Sequence, residues 1–364
     1  MKNILFCVFL LPSFLLAQPN YPTEITVAQD GGGDFTTIQA AIDESKSFPD
    51  VRITIRIKPG IYREKVKVHA WNNRLTLRGE SPLTTIIRWD DHFNAIARGR
   101  NSTFFTATLL VQGDDFRAEH LTIENAAGPV GQAVAVGVEA DRAVFVNCRM
   151  IGNQDTLYAA GSNARQYYQN CYIEGTTDFI FGEATALFDS CTLHSKANSY
   201  ITAASTPEGR AFGFVFLHCT LTAAPGVDAV YLGRPWRDFA KTAYLYCAMG
   251  GHIQPEGWDN WSAPAREKTA YYAEYGNTGP GANPSARVAW RHALTKKQAK
   301  RYVKSEILKP FALPEMETPY IPRNQFRNRS IQRSGVVGLN MPNPWPPLGY
   351  RCISAETPWS MQAL

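Results

Sequence analysis

The sequence predicts an all-β fold in which the chain winds as a solenoid, each coil of strands stacked on the one before. Two observations predict it. Six aromatic residues, Phe116, Phe145, Tyr168, Phe188, Phe216 and Tyr244, are followed five residues later by Leu121, Met150, Ile173, Leu193, Leu221 and Met249 respectively. The intervals between the aromatics, 29, 23, 20, 28 and 28 residues, suit solenoid coils and are too irregular for a helical repeat. Three residues after each aromatic stand Cys148, Cys171, Cys191, Cys219 and Cys247, with Glu119 in that place in the first coil. Such a column reads as an interior ladder in which each coil buries its neighbour.

Taken in order, residues 1–17 read as a secretory signal, with Lys2 as the positive start, Ile4 to Leu16 as the apolar stretch and Ala17 as the small residue at the cleavage site. That stretch is shorter than the roughly 20 residues that span a bilayer, which argues against an uncleaved anchor. A secreted protein is expected, extracellular or periplasmic according to the host, with no membrane contact once the signal is removed. Thr36 to Ile42 carries a capping-box pattern, Thr36 with Gln39, and predicts a short helix covering the open end of the solenoid. Val51 to Lys58 alternates as a strand and ends in the turn Pro59-Gly60. Past Trp290 the coil signature fades, and Leu294 to Ile307 reads as a helix packed on the solenoid. One domain over 24–308 is therefore expected. Residues 309–364, rich in Pro, Asn and Arg and without a period, read as an irregular tail.

With 364 residues, 45% hydrophobic and 19% charged, the chain can bury a large core, and its composition excludes wholesale disorder. A formal charge of +5 leans towards a polyanionic partner. Nucleic acid is not expected, because the densest basic stretch, Lys296-Lys297-Gln298-Ala299-Lys300-Arg301, reads as a solvated helix face. An acidic polysaccharide fits an exported cationic protein better, and a monomer is expected. The cysteines lack C-x-x-C pairs and zinc-type spacing with His, which excludes a metal site of that kind. Their default reading is a buried apolar ladder. Adjacent rungs also suit a bridge in an oxidising compartment, and Cys171 with Cys191, across the shortest coil, is the preferred disulfide pair.

Asp155 and Asp178 lie 23 residues apart, the same as the interval between Phe145 and Tyr168, so each acid falls ten residues beyond its aromatic. Equivalent positions on adjacent coils are about 4.8 Å apart. Two acids that close cannot both ionise freely, so one becomes the proton carrier and the other remains carboxylate. Tyr158 and Phe181 share the same register, thirteen residues after their aromatics, and two such rings can hold the apolar face of a sugar or simply pack on the surface. Gln132 and Gln154 supply uncharged amide donors for a developing oxyanion. Arg234, aimed by Gly233 and Pro235, can reach back and keep Asp178 ionised, or serve as a structural ion pair; Trp236 adds a further ring.

Six segments resemble, in order, the signature segments of pectin methylesterases: Gly60-Ile61-Tyr62-Arg63-Glu64, Gln132-Ala133-Val134-Ala135, Gln154-Asp155-Thr156-Leu157-Tyr158, Asp178-Phe179-Ile180-Phe181-Gly182, Leu232-Gly233-Arg234-Pro235-Trp236, and Tyr271 to Gly279. The resemblance runs from about Ile25 to Trp290 and does not extend into the tail. It implies a right-handed parallel β-helix that removes methyl groups from esterified homogalacturonan, giving pectate and methanol. It also implies that Asp178 is the nucleophile, that Asp155 is first acid and then base, and that Gln132 with Gln154 stabilises the tetrahedral oxyanion. Arg234 would orient Asp178. Tyr158, Phe181 and Trp236 would line the sugar subsites, and Thr103 matches a position that touches substrate. No metal or organic cofactor is expected from it.

Three other readings compete: a silent carbohydrate-binding solenoid, a polysaccharide lyase of the same architecture, and an esterase of this fold with another ester. Matched acids speak against the first, and the presence of two acids in register rather than a calcium-binding cluster speaks against the second. Substrate profiling separates the third.

Overall fold

The structure, a computed structural model, describes residues 19–309; the expected signal at 1–17 and the tail beyond 309 lie outside the described residues. Among the described residues the strands form three parallel sheets of eleven, eight and seven strands. From Ile53 to Pro235 each coil contributes one strand to each sheet in turn, which makes this part of the chain a parallel β-helix. The coil beginning at Ala143 is typical. Strand Ala143–Val146 lies in the eleven-stranded sheet, Arg149–Ile151 in the eight-stranded sheet and Leu157–Ala159 in the seven-stranded sheet, after which Arg165–Gln169 starts the next coil.

The corner between the first two sheets takes a single left-handed residue. His120, Asn147, Asn170, Ser190, His218 and Tyr246 have φ of 55, 53, 50, 57, 55 and 58°, one per coil. Asn adopts this conformation more readily than most residues. The hydrogen-bond ladder continues through the bend: the N–H of Asn147 donates to the Gln169 carbonyl at 3.0 Å and that of Ser190 to Leu217 at 2.9 Å. The N–H groups of all six corner residues are paired with the next coil in this way, so the turn needs no loop to satisfy them.

Inside, Phe145, Tyr168, Phe188, Phe216 and Tyr244 stand in register and are fully buried. Their ring centroids are 5.2, 4.7, 4.5 and 4.4 Å apart in succession, all stacked. Each such pair adds about 0.5–1.5 kcal/mol beyond its buried area. Met150, Ile173, Leu193, Leu221 and Met249 form the matching column across the corner.

The first coil departs from the expected register. Phe145 pairs with Ala118 and Met150 with Ile123, two residues beyond Phe116 and Leu121. Because side chains alternate along a strand, a slip of two preserves the inward set, and Phe116 still packs on Phe145 at 5.7 Å. Glu119 is consequently not in the cysteine column; it forms ion pairs with Arg78 and Arg117.

The five cysteines of the ladder are buried free thiols, which corrects the expected Cys171–Cys191 bridge. The reason is geometric. In-register parallel strands hold equivalent Cβ atoms about 4.8 Å apart with parallel Cα–Cβ vectors, whereas a disulfide needs about 3.5–4.5 Å. The thiols bond to backbone instead, Cys171 Sγ to the Phe145 carbonyl at 3.5 Å and Cys191 Sγ to the Tyr168 carbonyl at 3.4 Å.

The predicted N-terminal helix is present as Ile38–Glu44 and buries Ile38, Ala41 and Ile42 over the open end. Its N-cap is Thr37 rather than Thr36, and no Gln39 capping box forms. Glu64, 26 residues downstream, caps it instead by accepting from the N–H groups of Ile38 and Gln39, both at 2.9 Å. The single helix expected over Leu294 to Ile307 is two short ones, Lys296–Ala299 and Lys304–Ile307, separated by the extended residue Val303. No helix among the described residues is long and apolar enough to cross a membrane.

Candidate active site

The site lies on the outer face of the seven-stranded sheet. Strand pairing places Leu157 opposite Ile180 and Tyr158 opposite Phe181, so the 23-residue offset read from the sequence is the true register of these coils. Asp155 and Asp178 precede their strands by equal distances and both adopt left-handed backbone conformations, φ 66° and 49°. Asp tolerates this conformation where bulkier residues do not. Both side chains open into one cleft of about 300 Å³, which Gln132, Gln154, Thr103 and Arg234 also line. Asp155 and Asp178 are 8% and 5% exposed, so each ionisation takes place largely out of water.

Burial raises both carboxyls. Asp155 is held well above the usual carboxylate range by desolvation and then by the neighbouring Asp178 charge, against a smaller opposing pull from Arg234. Asp178 is also raised by burial, but here the hydrogen bonds and charge of Arg234 oppose the rise. Arg234 meets it as a fork, Nε to Oδ1 at 3.0 Å and an NH2 hydrogen bond to Oδ2 at 2.7 Å. Two equivalent aspartates are thereby made unequal: Asp155 is raised the more strongly, and Asp178 is the one whose ionised form Arg234 favours.

Arg234 is itself fixed by packing. It sits on strand Tyr231–Pro235, opposite Ala203, with its guanidinium 3.9 Å from the Tyr200 ring centroid and 3.7 Å from that of Trp261. A planar cation between two rings keeps the fork aimed. Gly233 beneath it cannot be replaced without a clash, because a Cβ there would strike the Thr202 hydroxyl.

Gln132 and Gln154 come from neighbouring coils and form an isolated parallel bridge through their backbones. Among the described residues neither side-chain amide has a partner, which leaves their donors facing the cleft. Thr103 arrives from a one-sided excursion, the 3-10 helix Gly99–Phe105. Aromatic rings run beside the acids: Phe104 to Tyr158 at 5.0 Å, Tyr158 to Phe181 at 4.8 Å and stacked, and Phe181 to Trp236 at 6.0 Å edge-on. Phe104, Phe181 and Trp236 line the cleft, whereas Tyr158 supports them from between Phe104 and Phe181 without lining it. Every other expected site residue lines it.

Sequence reasoning missed Phe104, Tyr200, Trp261 and Arg100, all at the site. Tyr200 lies opposite Asp178 on the next coil, its carbonyl accepting from the Asp178 N–H at 2.8 Å, but ten residues beyond Phe188 falls on Asn198, so the period did not point to it. Trp261 and Arg100 come from excursions outside the period and carried no signal.

The sequence model of the pectinesterase family matches residues 24–310. The chain belongs to the pectinesterase family. It is 39% identical to pectinesterase 31 of Arabidopsis thaliana over 305 residues, covering 82% of this chain and 94% of that one. It is 40% identical to probable pectinesterase/pectinesterase inhibitor 23 of the same plant over 310 residues, and there spans 54% of the relative's length. In structure it is similar to pectin methylesterase from carrot, with TM-score 0.74 and 31% identity, covering 80% of this chain and 94% of that one. It is likewise similar to a pectin methylesterase solved in complex with a hexasaccharide, with TM-score 0.71 and 29% identity, covering 80% and 98%. As a pectinesterase-family enzyme it is an esterase, and the cleft described above is where its fold brings acids, amides and aromatic rings together.

Proposed function

We propose that the protein demethylates methyl-esterified homogalacturonan to pectate and methanol by a two-aspartate mechanism. The observation that carries this reading is the forked Arg234–Asp178 pair beside a buried Asp155 whose carboxyl is raised well above the usual carboxylate range. The Asp178 carboxylate attacks the ester carbonyl carbon, and the amides of Gln132 and Gln154 bond the tetrahedral oxyanion. As the C–O bond to methoxide breaks, Asp155 delivers its proton and methanol leaves, with the uronoyl group on Asp178. Asp155, now carboxylate, takes a proton from water, and the hydroxide formed attacks the acyl carbon. The products are a galacturonic acid unit, which releases its proton to solvent, ionised Asp178 and protonated Asp155, so one water is consumed per methanol released.

Phe181, Trp236 and Phe104 offer faces to the sugar rings, and Thr103 a polar contact at the rim. The protein is read as exported, acting on pectin in a cell wall or its debris, as a monomer. Methanol release from highly esterified pectin, measured for the parent and for Asp178→Ala, tests the reading. Stoichiometric methanol and free carboxylate from the parent, with loss in the variant, support it; equal traces from both would leave a binding protein.

A further inference from the structure

The helix expected over Leu294 to Ile307 breaks after Ala299, and the break lays Arg301 and Tyr302 against the outer face of the eleven-stranded sheet. The opposite wall follows from strand alternation. Lys241 and Tyr271 are register partners on strands Lys241–Leu245 and Tyr271–Tyr275, and because their neighbours Thr242 and Tyr272 are buried in the core, both project outward. Phe212 completes that wall and meets the Tyr302 ring edge-on at 5.4 Å. Between the walls lies a pocket of about 230 Å³ that shares no lining residue with the cleft. Among the described residues no carboxylate lines it, and neither Lys241 nor Arg301 takes part in an ion pair. Lys241 uses one of its three N–H donors on the Arg210 carbonyl and keeps two. Its partial burial, unopposed by any acid, lowers its pKa. A carboxylate arriving there offsets that desolvation.

The pocket falls just below the roughly 300–1,000 Å³ of sites for drug-sized ligands, a size that suits one sugar ring. Three aromatic side chains offer the apolar surface on which such a ring packs, and two cations stand beside them for an acid group. We propose that this pocket is a second carbohydrate site, which holds a free uronate unit of an acidic polysaccharide with its carboxylate between Lys241 and Arg301 and its ring against the aromatic wall. In naming pectate as that polymer it rests on the demethylation reading above. Trp236 of the cleft and Lys241 of the pocket are five residues apart in the chain, so their Cα atoms lie within about 18 Å of each other. A polymer has the length to touch both, and the pocket gives the enzyme a hold on it that the cleft residues do not supply.

Two alanines report the two sites separately, since Ala211 lines the pocket and Ala203 the cleft. In protein isotope-labelled at its alanine methyls, titration with de-esterified trigalacturonate should shift the Ala211 signal in the NMR spectrum, whereas its trimethyl ester, which lacks carboxylates, should not. Arg301→Gln and Lys241→Gln should each weaken the Kd read at Ala211 by about threefold to fivefold, the size of an exposed charged pair, and leave the Kd read at Ala203 at the parent value. Arg301→Lys should keep most of the affinity, which a packing role for the side chain would not allow. If Lys241→Gln unfolds through loss of its bond to Arg210, Arg301→Gln alone decides. An Ala211 signal that trigalacturonate does not move, or an unchanged Kd there in Arg301→Gln, overturns the proposal. So does inorganic phosphate binding at Ala211 as tightly as trigalacturonate, because the pocket would then read charge and no sugar. The two readings fail separately: a shift at Ala211 without methanol release from esterified pectin sinks the demethylation reading alone, and methanol release without that shift sinks the second site alone.

Discussion

Replacing Arg234 with Gln removes both charged hydrogen bonds, of 3.0 and 2.7 Å, from a carboxylate that is 5% exposed. A hydrogen bond to a charged group contributes about 1.5–3 kcal/mol, so the lower end for two bonds gives about 3 kcal/mol. The Asp178 carboxyl should therefore rise, and at 1.36 kcal/mol per pH unit a loss of that size corresponds to about 2 pH units in the rate profile. The direction follows from the balance at the site: burial pushes this group up, Arg234 holds it down, and without Arg234 the burial acts alone. Catalysis needs Asp178 ionised, so the acid limb of kcat/KM should move up by about 2 pH units. The basic limb belongs to Asp155, which also loses a weak lowering influence, so it shifts less and in the same direction. The plateau narrows and its height falls. Arg234→Lys retains charge but neither the fork nor the sandwich between Tyr200 and Trp261, and should shift the acid limb by about half as much. Methanol release measured across pH for the three proteins reads these shifts directly. If Arg234→Gln slows turnover while its acid limb stays within about 0.3 unit of the parent, the arginine does not act through the ionisation of Asp178, and the reasoning fails.

Asp155→Asn should nearly abolish methanol release yet leave a protein more resistant to heat than the parent at neutral pH. Its folded-state carboxyl is raised, so its contribution to stability is present below the ordinary carboxylate range and lost as pH rises; thermal unfolding at pH 4 and pH 8 should show the variant's advantage only at the higher pH. Gln132→Ala should lower kcat by about 100-fold with little change in KM, as expected for a donor that bonds the oxyanion and not the ester; a pure KM effect would assign it to substrate binding. Trp236→Ala should raise KM about fivefold to tenfold through loss of one ring face, and steady-state kinetics on pectin oligomers would expose a kcat effect instead. Cys148, Cys171, Cys191, Cys219 and Cys247 should resist alkylation in the native protein and all react after unfolding; a Cys171–Cys191 peptide under non-reducing mass spectrometry would contradict the ladder.

The core of the fold was legible because its period is written in the two residue types that a coil interior needs, a flat ring and a small thiol. Five of the six coils obey that rule from Phe145 onwards, and there the register read from sequence is the register observed. It slipped at Phe116 for a physical reason: positions two apart face the same way, and both Phe116 with Leu121 and Ala118 with Ile123 satisfy an aromatic-or-small, then aliphatic, inward pattern. The helix cap was illegible because Glu64, which supplies it, is adjacent in space and remote in sequence. The same holds for the site. Asp155, Asp178 and Phe181 follow the coil period and could be found from it. Arg100, Phe104 and Trp261 come from excursions whose path over the sheet face has no period, so their presence in the cleft depends on tertiary packing alone.

The backbone at the two acids bears on how their chemistry can be isolated. Both sit at positive φ, where Asp and Asn are among the few side chains tolerated without strain. The structure supplies its own control, since Asn147 and Asn170 occupy the sheet corner of the same two coils at φ 53° and 50°. An Asp→Asn change at 155 or 178 therefore keeps a residue type that the solenoid already uses at such bends, and removes only the charge and the exchangeable acid proton. An Asp→Leu or Asp→Val change would add backbone strain of order 1–3 kcal/mol and confound the reading. If the Asn variants lost activity together with the coil's hydrogen-exchange protection, the acids would be holding the turn as well as the reaction. Loss of activity with protection intact would assign them to chemistry.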